Sequence, residues 1–382
     1  MTLLRQTAAV RVLSAATALA CAALSIPAQA ADINVSGRID TYVEAYTTSS
    51  GTQGRLSSGG ATPSFLLFSG EEDMGNGLKA SFNLEMGFLP ENGMSTPDGS
   101  PTAGNYMFQR QANLGLRGYF GEVRFGYQYT PTFIALASTD PVGYSLGSAM
   151  GTFSAPGYAG VNGGAMDDFN ARSENAISYT SPKLFGSTIV SLFVGLGETT
   201  KKNGEVSTTR GNYYGASVRF MQDALTVVGA ASAAKAEHKV MPSGDVSPST
   251  DYQLDFSVGY DFGVVKPVFT MAYKKGADDI RKGSDVLATQ VGFSMPMGQG
   301  KWAASVGYLK NLTDSDGDAV AAGTRYDYSL SKRTFLYTGV AAVWNGDLAN
   351  YGLTGGGGSS NFPTNKPGHS ASTVFVGVNH KF

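Results

Sequence analysis

After residue 30 no stretch of this chain is apolar for long enough to cross a membrane as a helix, yet apolar residues recur at every second position through segment after segment. Ile33, Val35, Gly37, Ile39, Thr41, Val43 and Ala45 make one face of the first such segment. Asn34, Ser36, Arg38, Asp40, Tyr42, Glu44 and Tyr46 make the other. Side chains of a strand alternate between its two faces, so one face suits lipid and the other water. Leu78, Ala80, Phe82, Leu84 and Met86 alternate in the same way with Lys79, Ser81, Asn83 and Glu85. The pattern returns in pairs of segments joined by short turns, such as Glu72–Gly77, Ser181–Lys183, Asp261–Gly263, Pro296–Gly298 and Ser331–Arg333, and it ends at Thr373–Phe382. Longer connections rich in Gly, Ser and Pro separate the pairs. About sixteen strands result, an even number with both ends on one side. A sheet in lipid must close, because no water is there to satisfy an open edge. The fold class expected is therefore all-β, a transmembrane antiparallel β-barrel of about 16 strands, wide enough to enclose water.

Composition agrees with a barrel that shows lipid only half of its side chains. Mean hydropathy is −0.09, close to that of a soluble protein. Residues 1–30 are read apart from the fold as a signal peptide. Arg5 and Arg11 precede an apolar run over Val12–Ile26, Pro27 breaks it, and Ala28-Gln29-Ala30 supplies small residues for cleavage between Ala30 and Ala31. Residues 31–382 then form one barrel domain. The single cysteine, Cys21, lies inside the signal, which leaves the mature chain without a disulfide or a thiol metal site. A formal net charge of −2 offers no basic footprint for nucleic acid. His238, His369 and His380 stand far apart, with no serine placed beside one as a nucleophile–base pair requires. No enzyme activity, cofactor or metal is expected. Asp314-Ser315-Asp316-Gly317-Asp318 looks like a calcium loop, but its glycine comes two places early and Arg325 stands where a bidentate glutamate is needed.

One connection, Thr130 to Asn170, is far longer than the rest and lacks alternation. A loop of that length in a compact fold usually has a function. The chain resembles the Gram-negative trimeric porins, in particular the β-proteobacterial general porins. The resemblance rests on Gly70-Glu71-Glu72-Asp73-Met74-Gly75-Asn76-Gly77-Leu78-Lys79-Ala80, Arg110-Gln111-Ala112-Asn113-Leu114-Gly115-Leu116, Gly126-Tyr127-Gln128-Tyr129-Thr130-Pro131, Leu330-Ser331-Lys332-Arg333-Thr334 and the ending His380-Lys381-Phe382. It implies a homotrimer in the outer membrane, in contact with its lipid and lipopolysaccharide, and a long third loop folded into each lumen. It also implies Phe382 as the signal read by the barrel assembly machinery. Loop carboxylates Asp140, Asp167 and Asp168 would face wall bases. Alternation turns Arg38, Arg124 and Arg172 inward, and Arg38 and Arg172 fall where the family has constriction bases.

Departures from the family pattern are as informative. Phe65, Ser69, Tyr127 and Asn379 stand where it usually has arginine, lysine, arginine and arginine. Phe65 is in phase with Ser69 and Glu71 and is expected to face the lumen. Tyr127 has the parity of the lipid face unless Gly126 permits a bulge. The loss of bases predicts an ion preference shifted toward cations relative to the family. The function expected is passive diffusion of small hydrophilic solutes and ions. A substrate-preferring channel on the same scaffold is the alternative, suggested by the missing bases and the aromatic Phe65. A barrel serving only as an adhesin fits the inward charges poorly.

Overall fold

The structure, a computed structural model, describes residues 32–95, 107–153, 156–158, 161–164, 171–197, 200–202, 205–207, 212–239, 246–275, 285–313, 315–353 and 366–382. Ala30, Ala31, Asp167 and Asp168 lie outside the described residues. One sheet of 17 strands dominates the described chain. In chain order they are β1 (Asp32–Thr48), β2 (Gly51–Ser58), β3 (Phe65–Asp73), β4 (Lys79–Gly87), β5 (Gln111–Gly118) and β6 (Gly121–Tyr129). Then follow β7 (Arg172–Thr180), β8 (Thr188–Gly195), β9 (Tyr213–Gln222), β10 (Leu225–Lys239), β11 (Val246–Tyr260) and β12 (Lys266–Lys275). The last are β13 (Val286–Met297), β14 (Gly300–Asn311), β15 (Ala319–Ser329), β16 (Thr334–Asn345) and β17 (Ala371–Lys381). Each pairs antiparallel with its neighbours, and β17 closes the sheet on β1 from Arg38↔Lys381 to Thr47↔Ser372.

The seventeen strands form sixteen staves. β2 and β3 lie end to end along the same edge of β1, with Thr41–Thr48 opposite Gly51–Ser58 and Asp32–Arg38 opposite Phe65–Glu71. The wall is therefore a closed 16-stranded antiparallel barrel. The six residues between them, Gly59–Ser64, straddle Asp40. Its amide donates a hydrogen bond to Ser64 Oγ at 2.9 Å, and its carboxylate accepts from Ala61 N at 3.4 Å.

Alternation decides which side chains the wall buries. On β1, Ile33, Val35, Ile39 and Val43 are exposed on the outer face, whereas Asp40, Tyr42, Glu44 and Tyr46 are buried on the inner one. On β17, Val374 and Val376 face out, and Thr373, Phe375 and Asn379 face in. His380 lies on the outer face near the rim, where its Nδ1 is 2.8 Å from Thr334 Oγ1. An outer face of exposed Val, Leu, Phe and Trp is tolerable only in lipid, and no helix among the described residues is long and apolar enough to cross a membrane. The chain crosses with strands.

The connection from Thr130 to Asn170 is less irregular than its lack of alternation predicts. Pro131–Thr139 forms helix α1, with proline at its start and Asp140 at its end, and Ala149–Phe153 forms a short helix α2. Proline suits the first helical turn because its missing N–H would have no partner there. The sequence Phe133-Ile134-Ala135-Leu136-Ala137 is too short for its helical period to show against neighbouring loop residues.

Candidate functional site

Both helices rest on the inner face of the wall. α1 packs on β9, β10 and β11, and α2 packs on β13, β14 and β15. The contacts are specific. Ala149 N donates to Ser305 Oγ at 3.0 Å, and Met150 N to Gln290 Oε1 at 2.9 Å. Arg325 Nη1 donates to Ser145 Oγ at 2.5 Å, and Leu146 N to the carbonyl of Gly60 at 3.1 Å. Gly60 belongs to the break between β2 and β3, so that interruption of the wall is one of the supports of the long connection.

Small residues permit this close approach. A Cβ on Gly323 would lie 2.5 Å from the Gly147 backbone, and one on Gly307 would lie 2.8 Å from Ala149 Cβ and 3.0 Å from the Phe153 ring. Gly147 and Ala149 thus lie close against the wall, while a Cβ on Gly143 would meet open space. Asp140 is turned onto its own loop. It accepts from the amides of Val142 and Tyr144 at 2.9 Å, from Ser148 Oγ at 2.6 Å and from Gln290 Nε2 at 3.1 Å. Four donors satisfy both of its oxygens, so the described contacts tie it to Gln290 rather than to Arg38 or Arg172.

The wall bases gather around two aromatic rings. The Arg38 guanidinium stands over the Phe65 ring, 5.7 Å from its centre, and that of Arg110 stands 5.6 Å from the same centre. Arg110 Nε donates to Glu85 Oε1 at 2.5 Å, and its Nη2 to the Tyr129 hydroxyl at 2.8 Å. Gln111 donates to the other Glu85 oxygen at 2.5 Å. Arg172 Nη2 reaches the same Tyr129 hydroxyl at 2.7 Å, with its guanidinium 4.3 Å from the Tyr129 centre. The ladder continues into the long connection: Phe133 of α1 stacks on Tyr129 at 5.3 Å and 11°, and Tyr144 meets Phe133 edge-on at 5.7 Å. Arg38, Phe65 and Arg172 from the sequence reading are therefore neighbours, brought together by Arg110, Glu85 and Tyr129.

Two expected residues sit elsewhere. Arg124 lies further along β6, where it donates to Glu122 and Asn113 at 2.5 and 2.6 Å. Tyr127 stands opposite Ala112, and the aromatic that meets the arginines is Tyr129. The reason is local. Gly126 has φ of +114°, and the register with β7 shifts between Gly126 and Gln128. A bulge of that kind breaks the alternating count, so Tyr129 cannot be placed by counting from Phe125. Asn379, where the family usually has arginine, is fully buried and donates to Asp40 Oδ2 at 2.7 Å and Thr62 Oγ1 at 3.0 Å. Tyr337 donates to Asp40 Oδ1 at 2.7 Å. Those donors hold a carboxylate with no cation in hydrogen-bond contact among the described residues.

Comparison with known proteins is consistent with this architecture. The family model described as Gram-negative porin matches residues 15–348. The chain belongs to the Gram-negative porins. It is 30% identical over 374 residues to outer membrane porin protein 32 of Delftia acidovorans, covering 96% of this chain and 98% of that protein. An outer membrane porin protein of Bordetella pertussis is 27% identical over 316 residues, 70% of this chain and 73% of that one. Among solved structures, an anion-selective porin from Comamonas acidovorans is 26% identical with a TM-score of 0.73, covering 92% of this chain and 100% of its own. The porin is thus an outer-membrane channel: its barrel encloses a lumen lined by charged side chains, and its relatives are porins rather than enzymes.

Proposed function

We propose that this porin passes small hydrophilic solutes and ions by diffusion, that its connection from Thr130 to Asn170 narrows the lumen, and that the narrow passage runs beside Arg38, Phe65, Arg110, Tyr129 and Arg172. The observation that carries the reading is the convergence of three guanidiniums on two aromatic rings, next to a loop anchored on the inner wall. Glu85 is bonded to Arg110, and Asp40 is buried among neutral donors. Three cations beside two carboxylates leave a passage that attracts anions weakly. The relative from Comamonas acidovorans is described as anion-selective. The missing family bases at Phe65, Ser69 and Asn379 reduce that preference without reversing it, and Asp167 and Asp168 offset part of it.

The test is the zero-current potential of single channels in a salt gradient. A sign showing anion preference is expected, diminished in an Arg38→Gln, Arg172→Gln double variant and increased when Asp167 and Asp168 are neutralised. A cation-selective wild type refutes the reading. The proposal extends to assembly: a homotrimer in lipid and lipopolysaccharide, a mature chain beginning at Ala31, and Phe382 as the segment read by the assembly machinery. Among solved structures of the same fold is an outer membrane protein of Vibrio cholerae, OmpT, described in its trimer form. Intact mass and the mobility of unheated protein on gels check these points. A retained Met1, or only monomer in mild detergent, contradicts them.

A further inference from the structure

We propose that Arg38, Phe65 and Arg110 form a binding subsite for small aromatic monocarboxylates, solutes of the benzoate class. This deepens the reading of these residues as the edge of the passage and rests on it. A carboxylate entering the lumen needs N–H donors that are not already committed. Arg110 commits its Nε to Glu85 and its Nη2 to Tyr129, and Arg172 commits Nη2 to Tyr129. Among the described residues, Arg38 donates no hydrogen bond and forms no ion pair, so the Nη1 and Nη2 edge of its guanidinium is uncommitted. The planar guanidinium presents a paired N–H edge that matches a carboxylate in two parallel bonds.

The second half of the argument is the ring. Phe65 is half-buried on the inner wall, with guanidiniums over it from Arg38 and Arg110. At this position the family resemblance places another base. Replacing that base by a phenyl group removes general attraction for anions and adds a surface that distinguishes flat, π-bearing solutes from others of equal charge. A ring entering with its carboxylate on Arg38 can lie against the open side of that guanidinium or along the Phe65 edge, and both contacts favour an arene over an alkyl group. Conduction requires such a site to be weak enough for the solute to leave. The subsite therefore shows itself as saturable, rapidly reversible block rather than tight binding.

The experiment compares benzoate with cyclohexanecarboxylate, which has the same charge and similar size but no π system, and with acetate. Each is added to single channels of the folded protein in potassium chloride, and its half-blocking concentration is read for each protein against that protein's own current. For the wild type, benzoate is expected to block at a concentration at least threefold lower than cyclohexanecarboxylate. Phe65→Leu should bring the two to equality, and Phe65→Tyr should keep them apart. Arg38→Gln should weaken block by both carboxylates together. Heat-modifiable mobility on gels establishes that each variant is folded before it is recorded. Equal block by the two acids in the wild type, or discrimination that survives Phe65→Leu, overturns the proposal. A wild type that conducts chloride without distinguishing the two acids removes this subsite alone, while a cation-selective wild type removes the reading beneath it.

Discussion

Introducing a single positive charge at Phe65 or at Ser69 measures how local the selectivity of this porin is. Both residues lie on β3 with the same parity and both stand where the family usually has a base, but they differ in height. Four residues of strand separate them, which is about 13 Å along the stave. Arg38 marks the level of Phe65, its guanidinium lying 5.7 Å from the ring centre. An anion held at Arg38 is thus roughly 6 Å from a charge placed at 65 and more than twice as far from one placed at 69. At ~6 Å in water the Coulomb energy of two unit charges is about 0.7 kcal/mol. Screening with a Debye length of ~8 Å reduces it to about 0.3 kcal/mol. At ~13 Å the same treatment leaves about 0.06 kcal/mol.

A fixed charge favours one ion as much as it disfavours the other, so the permeability ratio feels twice that energy. Phe65→Arg should move the anion-to-cation ratio about threefold toward anions, and Ser69→Lys only about 1.2-fold, with thermal energy taken as ~0.59 kcal/mol. Raising the salt to ~1 M shortens the Debye length to about 3 Å and should reduce the first effect to about 1.4-fold. The assay is the zero-current potential of single channels in a tenfold gradient centred on ~0.15 M salt. Equal shifts from the two substitutions, or none from Phe65→Arg, would show that Arg38 and Phe65 do not border the narrow passage.

Gly323→Val puts branched carbon into the Gly147 backbone, where even a Cβ lies 2.5 Å away. Overpacking of that kind costs about 1–3 kcal/mol, so the connection should lift from the wall and single-channel conductance should rise or become noisy; quiet, wild-type conductance would show that the connection does not govern the passage. Gly37 exchanges two backbone hydrogen bonds of 3.1 Å with Phe382, and a Cβ there would meet the Phe382 ring at 2.6 Å. Gly37→Val and deletion of Phe382 should both slow assembly, read as the folded fraction on unheated gels, and wild-type yields from both would argue against a role for this seam. At the other rim, burial pushes the Asp318 carboxyl up, but hydrogen bonds from Lys310, Tyr308 and the Asn311 amide outweigh it and hold it below the usual carboxylate range. A depressed folded value means stability present above the unfolded pKa of ~3.9 and lost as pH falls through the folded one. Hydrogen exchange around Asn311–Ala319 should therefore quicken below that range in the wild type and be fast throughout in Asp318→Asn.

The barrel is legible in the sequence because its physics is periodic. Ile33–Ala45 against Asn34–Tyr46 needs only a lipid face and a wet face, and the wall adopts both as the alternation predicts. Gly51–Ser58 gives no such signal, because Gly-Thr-Gln-Gly-Arg-Leu-Ser-Ser carries one large apolar residue, Leu56, on its outer face. The count of sixteen survives because that segment continues the stave of β3. The site is less legible. Arg38, Phe65 and Arg172 follow from alternation and resemblance, but Arg110 lies just before β5, where counting has no phase, and Tyr129 lies beyond the bulge at Gly126. A period-two pattern assigns a face only while the ladder is regular, and the porin departs from regularity at Gly126, just before the long connection begins.

An interruption of the ladder also explains why Asp40 is retained inside the wall. The break between β2 and β3 frees backbone groups that a continuous stave would have paired, and Asp40 lies beneath it with its amide on Ser64 and its carboxylate on Ala61, Tyr337 and Asn379. Removing one partner of a buried polar group exposes the others to the full desolvation cost, on the order of 1–3 kcal/mol per group. Asp40 thus ties together three chain segments distant in sequence: the break, β16 and β17. The break in turn offers the Gly60 carbonyl to Leu146. Asp40 therefore also acts by position, through the segment that supports the long connection. Asn379 fits that arrangement in a way an arginine would not. Its amide fills a donor position on Asp40 without bringing a cation into a pocket closed by Tyr42, Tyr337 and Phe375. Phe65, by contrast, lies beside the guanidiniums of Arg38 and Arg110.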